Sequence, residues 1–223
     1  MEDQKALEEL RRDESSRGAF LKMVGGAGAA GALGIFLAAC GDDEEKDEAA
    51  KTSQDKPAAN SGKRDAEIVN YALTLEYLEA DFYQQVIASG EITDKKIVET
   101  AKLIAENEQA HVEALRGTAE MLGGEVAKKP ATMFDDVLAG GPDKILETAA
   151  SVENLGAAAY LGQAGNITDK EILAAALSIH TNEARHAAAL NQLVGKSIVP
   201  DGAFAKPASM DEVLKAVQPF LAS

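Results

Sequence analysis

From Asp65 onward the apolar positions of this chain recur every three to four residues, the period of a helix with one buried face. Four segments carry that period, at about 65–89, 94–122, 143–164 and 169–194. They are separated by stop signals at Gly90, Gly123 and Gly124, the run Gly140, Gly141, Pro142, and Gly165, and Gly195 closes the last. The breaks repeat. "GEITDKKI" (90–97) and "GNITDKEI" (165–172) are nearly the same turn, with Thr and then Asp offering capping oxygens before a helix start. "KPATMFDDVL" (129–138) and "KPASMDEVL" (206–214) form a second matched pair. One helical hairpin is thus written twice, at an offset of 75 to 77 residues. A single hairpin would expose an apolar face, and two together close an all-α four-helix bundle.

Polar residues interrupt the apolar stripes at matching places. The second helix reads Ile97, Ala101, Ile104, Glu108, His111, Leu115, and the fourth reads Ile172, Ala176, Ile179, Glu183, His186, Leu190. The first reads Val69, Leu73, Glu76, Ala80, Tyr83, and the third Leu146, Ala150, Glu153, Ala157, Tyr160. Spacings of three, four and seven keep each set on one face, so four glutamates and two histidines point into the core. Bare carboxylates there would cost at least several kcal/mol each, and no lysine or arginine lies on those stripes to neutralise them. Two divalent cations would balance four negative charges. Oxygen-rich ligation with one imidazole per ion suits iron or manganese, and zinc is also feasible.

Two glutamates from one helix pair and Glu-x-x-His from each helix of the other is the di-metal arrangement known in bundles. On this pattern Glu108 and Glu183 bridge two ions, Glu76 and Glu153 are terminal ligands, and His111 and His186 each bind one ion. Tyr83 and Tyr160 are expected to orient carboxylates from across the bundle.

On these residues the run from Asp65 to about Gly195 resembles the ferritin-like superfamily, and in its ligand pattern bacterioferritin. "LEYLEADFY" and "ENLGAAAYLG" are similar to an exported branch that includes desiccation-related proteins. The resemblance implies a ferritin-like four-helix bundle with Glu76, Glu108, His111, Glu153, Glu183 and His186 as metal ligands and catalytic residues. It implies a pair of iron ions, with manganese, a mixed iron–manganese pair or zinc as alternatives, and dioxygen or peroxide as partner. Departures matter too. Rubrerythrins carry a further glutamate three residues after the third-helix ligand, where this chain has Gly156, and a cysteine-ligated iron module that one cysteine cannot build. Gln109 stands where bacterioferritins place a haem-binding methionine, so haem is not expected. Asn107 and Asn182 precede the two Glu-x-x-His motifs in place of aspartate, and each offers an oxygen to a histidine ring nitrogen.

The N-terminus changes the picture of where this bundle works. Arg11, Arg12, Arg17 and Lys22 precede an apolar stretch from Met23 to Ala39, short for a membrane span and suited to a signal peptide over 1–39. It ends in Leu37-Ala38-Ala39-Cys40, which resembles the lipobox of bacterial lipoproteins, with Cys40 as the lipidated residue. "SRGAFLK" (16–22) resembles a twin-arginine signal except that Gly18 replaces the second arginine, so either export route fits. Residues 40–64 are polar and read as a disordered tether, and residues 65–223 hold the bundle and a C-terminal covering segment. A net charge of −15 argues against nucleic-acid binding. The expectation is an exported, lipid-anchored protein of the bacterial cell envelope. It would act as a ferroxidase or peroxide-reducing oxidoreductase or, alternatively, as a non-catalytic, metal-stabilised stress protein. A lipid tether suits a closed storage shell badly, and a homodimer would be ordinary for such a bundle.

Other residues have plainer readings. Glu79, three past Glu76, admits a role as an extra ligand; with Asp81 and Glu91 nearby it also suits an acidic entrance or a solvated face, and the solvated face is preferred. His180 reads as a surface or outer residue, and Tyr71 and Tyr77 as packing at the helix edge. Met121, Met133 and Met210 read as core filler. "SMDEVLKAVQPFL" reads as a short amphipathic helix covering the end of the bundle.

Overall fold

The computed structural model describes residues 59–222; the expected signal peptide, Cys40 and most of the tether lie outside the described residues. Four long helices carry the fold: α1 (Ala59–Ser89), α2 (Lys95–Met121), α4 (Gly141–Ala164) and α5 (Lys170–Leu193). A short α3 (Asp135–Ala139) precedes α4, and α6 (Met210–Val217) with a 3-10 turn (Gln218–Phe220) follows α5. No strand occurs among the described residues; Thr132 and Leu221 form an isolated antiparallel bridge. None of these helices is long and apolar enough to cross a membrane.

The periodic segments and the helices agree closely, with one extension. α1 begins at Ala59 rather than near Asp65. "ANSGKR" has no large apolar side chain to mark a face, yet adding residues to an existing helix costs little. The repeated turns do the expected capping through aspartate. Asp94 accepts from the Lys96 and Ile97 N–H groups, and Asp169 from those of Glu171 and Ile172. Thr168 acts elsewhere, its N–H and hydroxyl donating to Asp65, as does the Asp169 N–H, at 2.8–2.9 Å. Asp65 is buried, so this knot fixes the α4–α5 turn beside the start of α1. Gly90, just past α1, and Gly195, just past α5, take φ of 69° and 71°, where any side chain would be strained.

α1 packs on α2 and α4 on α5, giving two hairpins that face each other. The link between them must travel the length of the bundle, because α4 ends beside the start of α1. It climbs along α1. The Ala127 N–H donates to Asn70 Oδ1, Lys129 and Thr132 both donate to Asp81, and Gln85 donates to Thr132. Asp81 is therefore a half-buried anchor for the crossover, not part of an open acidic face, whereas Glu91 is exposed. Apolar clusters fill the bundle around its middle. One is built on Phe82, Phe134, Ile104 and Ile145, the other on Ile68, Leu73, Leu115 and Ile179.

The C-terminal helix does not cover an end. The Ala208 N–H donates to the Ala158 carbonyl at 3.0 Å, in the C-terminal third of α4, and Val213 and Val217 pack into the cluster that contains Leu75, Leu78 and Val152. α6 thus lies along the flank where α1 meets α4. Its start is fixed by Ser209, which accepts from the Glu212 N–H while Glu212 accepts from the Ser209 N–H. Of the three methionines read as core, Met121 and Met133 are exposed, and Met210 is partly buried against the second cluster. Met121 is the last residue of α2, and Met133 lies in the crossover before α3.

Candidate metal centre

Each long helix delivers one glutamate to the bundle's middle. Glu76, Glu108, Glu153 and Glu183 are all 0% exposed, and His111 and His186, at 9% and 7%, lie beside them. His111 Nδ1 sits 3.2 Å from Glu76 Oε2, 3.1 Å from Glu108 Oε2 and 3.2 Å from Glu183 Oε1. His186 Nδ1 sits 3.0 Å from Glu108 Oε1 and 3.1 Å from Glu153 Oε2. One ring proton cannot serve three carboxylate oxygens; a cation can. Two sets of potential ligands result, Glu76, Glu108, His111 and Glu183, and Glu108, Glu153, Glu183 and His186, each with its ligand atoms within 4.8 Å of one another. Glu108 and Glu183 belong to both. Glu108 turns one oxygen to each histidine, the disposition a bridging carboxylate needs.

The surrounding contacts run between hairpins. Tyr83 on α1 donates to Glu153 Oε1 on α4 at 2.6 Å, and Tyr160 on α4 donates to Glu76 Oε1 on α1 at 2.5 Å. The Asn107 amide lies 3.0 Å from His186 Nε2, and the Asn182 amide 3.5 Å from His111 Nε2 and 3.2 Å from His186 Nε2. In each contact the amide nitrogen Nδ2 faces the ring, so as placed the asparagine donates to Nε2 and the ring proton sits on Nδ1, toward the carboxylates. A ring that bound metal through Nδ1 would carry its proton on Nε2 and meet the asparagine oxygen once the amide turned over. His180 is apart from the centre: its Nδ1 lies 2.9 Å from the Ala157 carbonyl.

A central layer of paired carboxylates and imidazoles inside two repeated helical hairpins is the plan of one fold family, and the family model of the ferritin-like domain matches residues 64–196. The chain belongs to the ferritin-like family. No curated protein matches it. The matched span runs from α1 to just past α5, so every ligand-type residue of the centre lies inside the ferritin-like domain. α6 lies beyond the matched span.

The residues present fit a metal pair. Glu108 Oε1 and both oxygens of Glu183 are buried without an aligned hydrogen-bond donor, and such orphaned acceptors cost about 1–3 kcal/mol each unless something positive meets them. Their titration reports the same strain. Burial, and next the Glu76 charge, push Glu108 up to about 7. Burial, then Glu108 and Glu76, drive Glu183 well above the usual carboxylate range. Burial works against the charge on Glu76 too, but His111 beside it outweighs that and holds it low. Burial opposes charge on the histidines, yet their carboxylate neighbours win: His186 rises to about 9, and His111 goes well above its ordinary value. Without metal, the ferritin-like centre balances its charge with protons.

Glu79 corrects the sequence reading. It is 2% exposed, not solvated, and the Glu183 charge nearby, after burial, raises its carboxyl strongly. The available signal was the i, i+3 spacing from Glu76, which puts it at the edge of the same stripe. Tyr71 packs against one core cluster and Tyr77 against the other; the Tyr71 hydroxyl is buried without a hydrogen-bond partner.

Proposed function

We propose that this ferritin-like bundle holds two divalent ions, iron or manganese, and uses them as a ferroxidase or a peroxide-reducing oxidoreductase. The overlap of two four-residue ligand sets on a shared Glu108 and Glu183 carries this reading. When bound, a redox-active metal pair supplies electrons for the reduction of dioxygen or peroxide. The chain's own residues do the rest. Glu76, Glu153 and the two histidines hold one end each, and the shared carboxylates keep the two positions close. Tyr83 and Tyr160, whose hydroxyls are kept protonated by burial and by the facing Glu153 and Glu76, fix the terminal carboxylates in place. Asn107 and Asn182 orient the imidazoles, and the apolar clusters keep bulk water from the centre.

The Leu-Ala-Ala-Cys sequence ending at Cys40 supports a setting as a lipid-anchored protein of the bacterial envelope. Anaerobic addition of Fe(II) to the metal-free protein tests the core of the proposal. Binding should saturate near about two ions per chain, as the donor set of a di-metal bundle requires, and Glu108→Ala should abolish it; no binding by the wild type refutes the reading. A second reading follows from the orphaned oxygens, since any divalent cation would quiet them: the metal then acts as a structural staple. Adding dioxygen to the Fe(II) form separates the two. Repeated turnover with a ferric absorbance band supports the oxidoreductase, and a bound ion that raises the melting temperature but never turns over supports the staple.

A further inference from the structure

α1 and α4 repeat at a spacing of 77, pairing Glu76 with Glu153 and Tyr83 with Tyr160. The same register pairs Glu79 with Gly156. One hairpin offers a carboxylate where the other offers no side chain at all. The two positions face the same spot: a Cβ added to Gly156 would lie 2.8 Å from Glu79 Oε1 and 2.8 Å from Glu183 Oε2. The Glu79 carboxylate reaches across the space that Gly156 leaves and stands beside one of the two shared glutamates. Glu183 is 0% exposed and its carboxylate has no aligned hydrogen-bond donor. Oε1 of Glu183 is the oxygen near His111, so the one beside Glu79 is the other. On the outer side, Leu75, Leu155, Val213 and Val217 form an apolar wall with Glu79, so Glu79 has no solvated alternative close by.

We propose that Glu79 is a seventh metal donor, acting beside Glu183 on one side of the centre only, so that the two metal positions are unequal in ligand number and in affinity. This rests on the dinuclear reading above and deepens it. Six donors from two repeated hairpins would make two equivalent positions. A donor from α1 with no counterpart on α4 breaks that equivalence, and the ions then bind in two distinguishable steps.

Cobalt(II) is a suitable probe, because the intensity of its visible bands rises as its coordination number falls. The metal-free full chain is titrated anaerobically, followed by calorimetry and by absorbance, beside Glu79→Gln and Glu79→Asp. Gln keeps the shape of the side chain and removes its charge; Asp keeps the charge and shortens its reach. The wild type should bind in two resolved steps. Both variants should still bind two ions, with the tighter step weakened about 10–100-fold and stronger visible bands. Variants that match the wild type in isotherm and spectrum overturn the proposal while leaving the dinuclear reading intact. If only Gln weakens binding, Glu79 acts through its charge at a distance and is not a donor. If the wild type itself takes up no cobalt, the dinuclear reading falls and this proposal falls with it. Circular-dichroism melts of all three chains establish that each is folded.

Discussion

Replacing Gly162 with alanine sets two effects of opposite sign against each other. In a helix interior alanine is favoured over glycine by about 1 kcal/mol, so in open space the change would raise the melting temperature. Gly162 is not in open space. The added Cβ would lie 1.9 Å from the Ala208 carbonyl oxygen and 3.0 Å from its carbon, backbone atoms that cannot swing aside. The segment leading into α6 must lift. Lifting it breaks the bond from the Ala208 N–H to Ala158, worth about 1 kcal/mol. It also loosens Val213 and Val217, which are 0% and 3% exposed, and a fully buried valine contributes about 1.5–3 kcal/mol. With partial release of both valines, the net loss is about 3 kcal/mol, or about 6–12 °C in a domain of this size. Calorimetric melting reads the size of the effect, and hydrogen exchange at the α6 amides shows where it falls. An unchanged or raised melting temperature, with α6 protection intact, would refute the packing of this segment against α4.

Several further outcomes are expected. In metal-free protein, Glu108 titrates near 7 when folded and near 4.5 when unfolded. Its burial therefore costs nothing below about pH 4.5, and up to about 3 kcal/mol is lost as pH rises through 7. The raised His186 stabilises fully below about 6.5, and that contribution disappears as pH rises through about 9. Chelator-treated protein should melt progressively lower from pH 5 to 9, and Glu108→Gln should flatten the acid half of that slope. Metal affinity should move the other way, rising by up to about tenfold per pH unit for each proton displaced, as read by competition with a chelator. Tyr160→Phe leaves Glu76 Oε1 without its donor; a loss of about 1–3 kcal/mol in urea unfolding is expected, with weaker metal binding. Asp65→Ala removes three bonds to the α4–α5 turn and should cost about 2–3 kcal/mol by the same measurement, with metal stoichiometry unchanged.

The bundle is legible in the sequence because local pattern and global packing agree. Stripes of period three to four survive as buried faces, and Glu108, His111, Glu183 and His186 announce themselves by occupying apolar positions in two matching frames. What the pattern does not show depends on distant contacts. Glu79 lies at the stripe's edge, where the same spacing suits either a solvated or a buried side chain; its burial is decided by Gly156 opposite and α6 above, both far along the chain. The course of α6 is hidden for a similar reason. Its amphipathic face is plain, but only the missing side chain of Gly162 lets the backbone at Ala208 come up against the last turns of α4, from where α6 runs along the flank. Asp81 looks like one more surface acid until the crossover brings Lys129 and Thr132 to it.

The cross-hairpin bonds have an evolutionary consequence. Tyr83 and Tyr160 each serve a glutamate of the opposite repeat, so neither half could furnish the centre alone, and a forerunner with one hairpin would have had to work as a pair of identical chains. Identical chains must carry the same residue at corresponding places. A glutamate facing a glycine, as at 79 and 156, would then require the two copies to be joined in one polypeptide, where each position can differ.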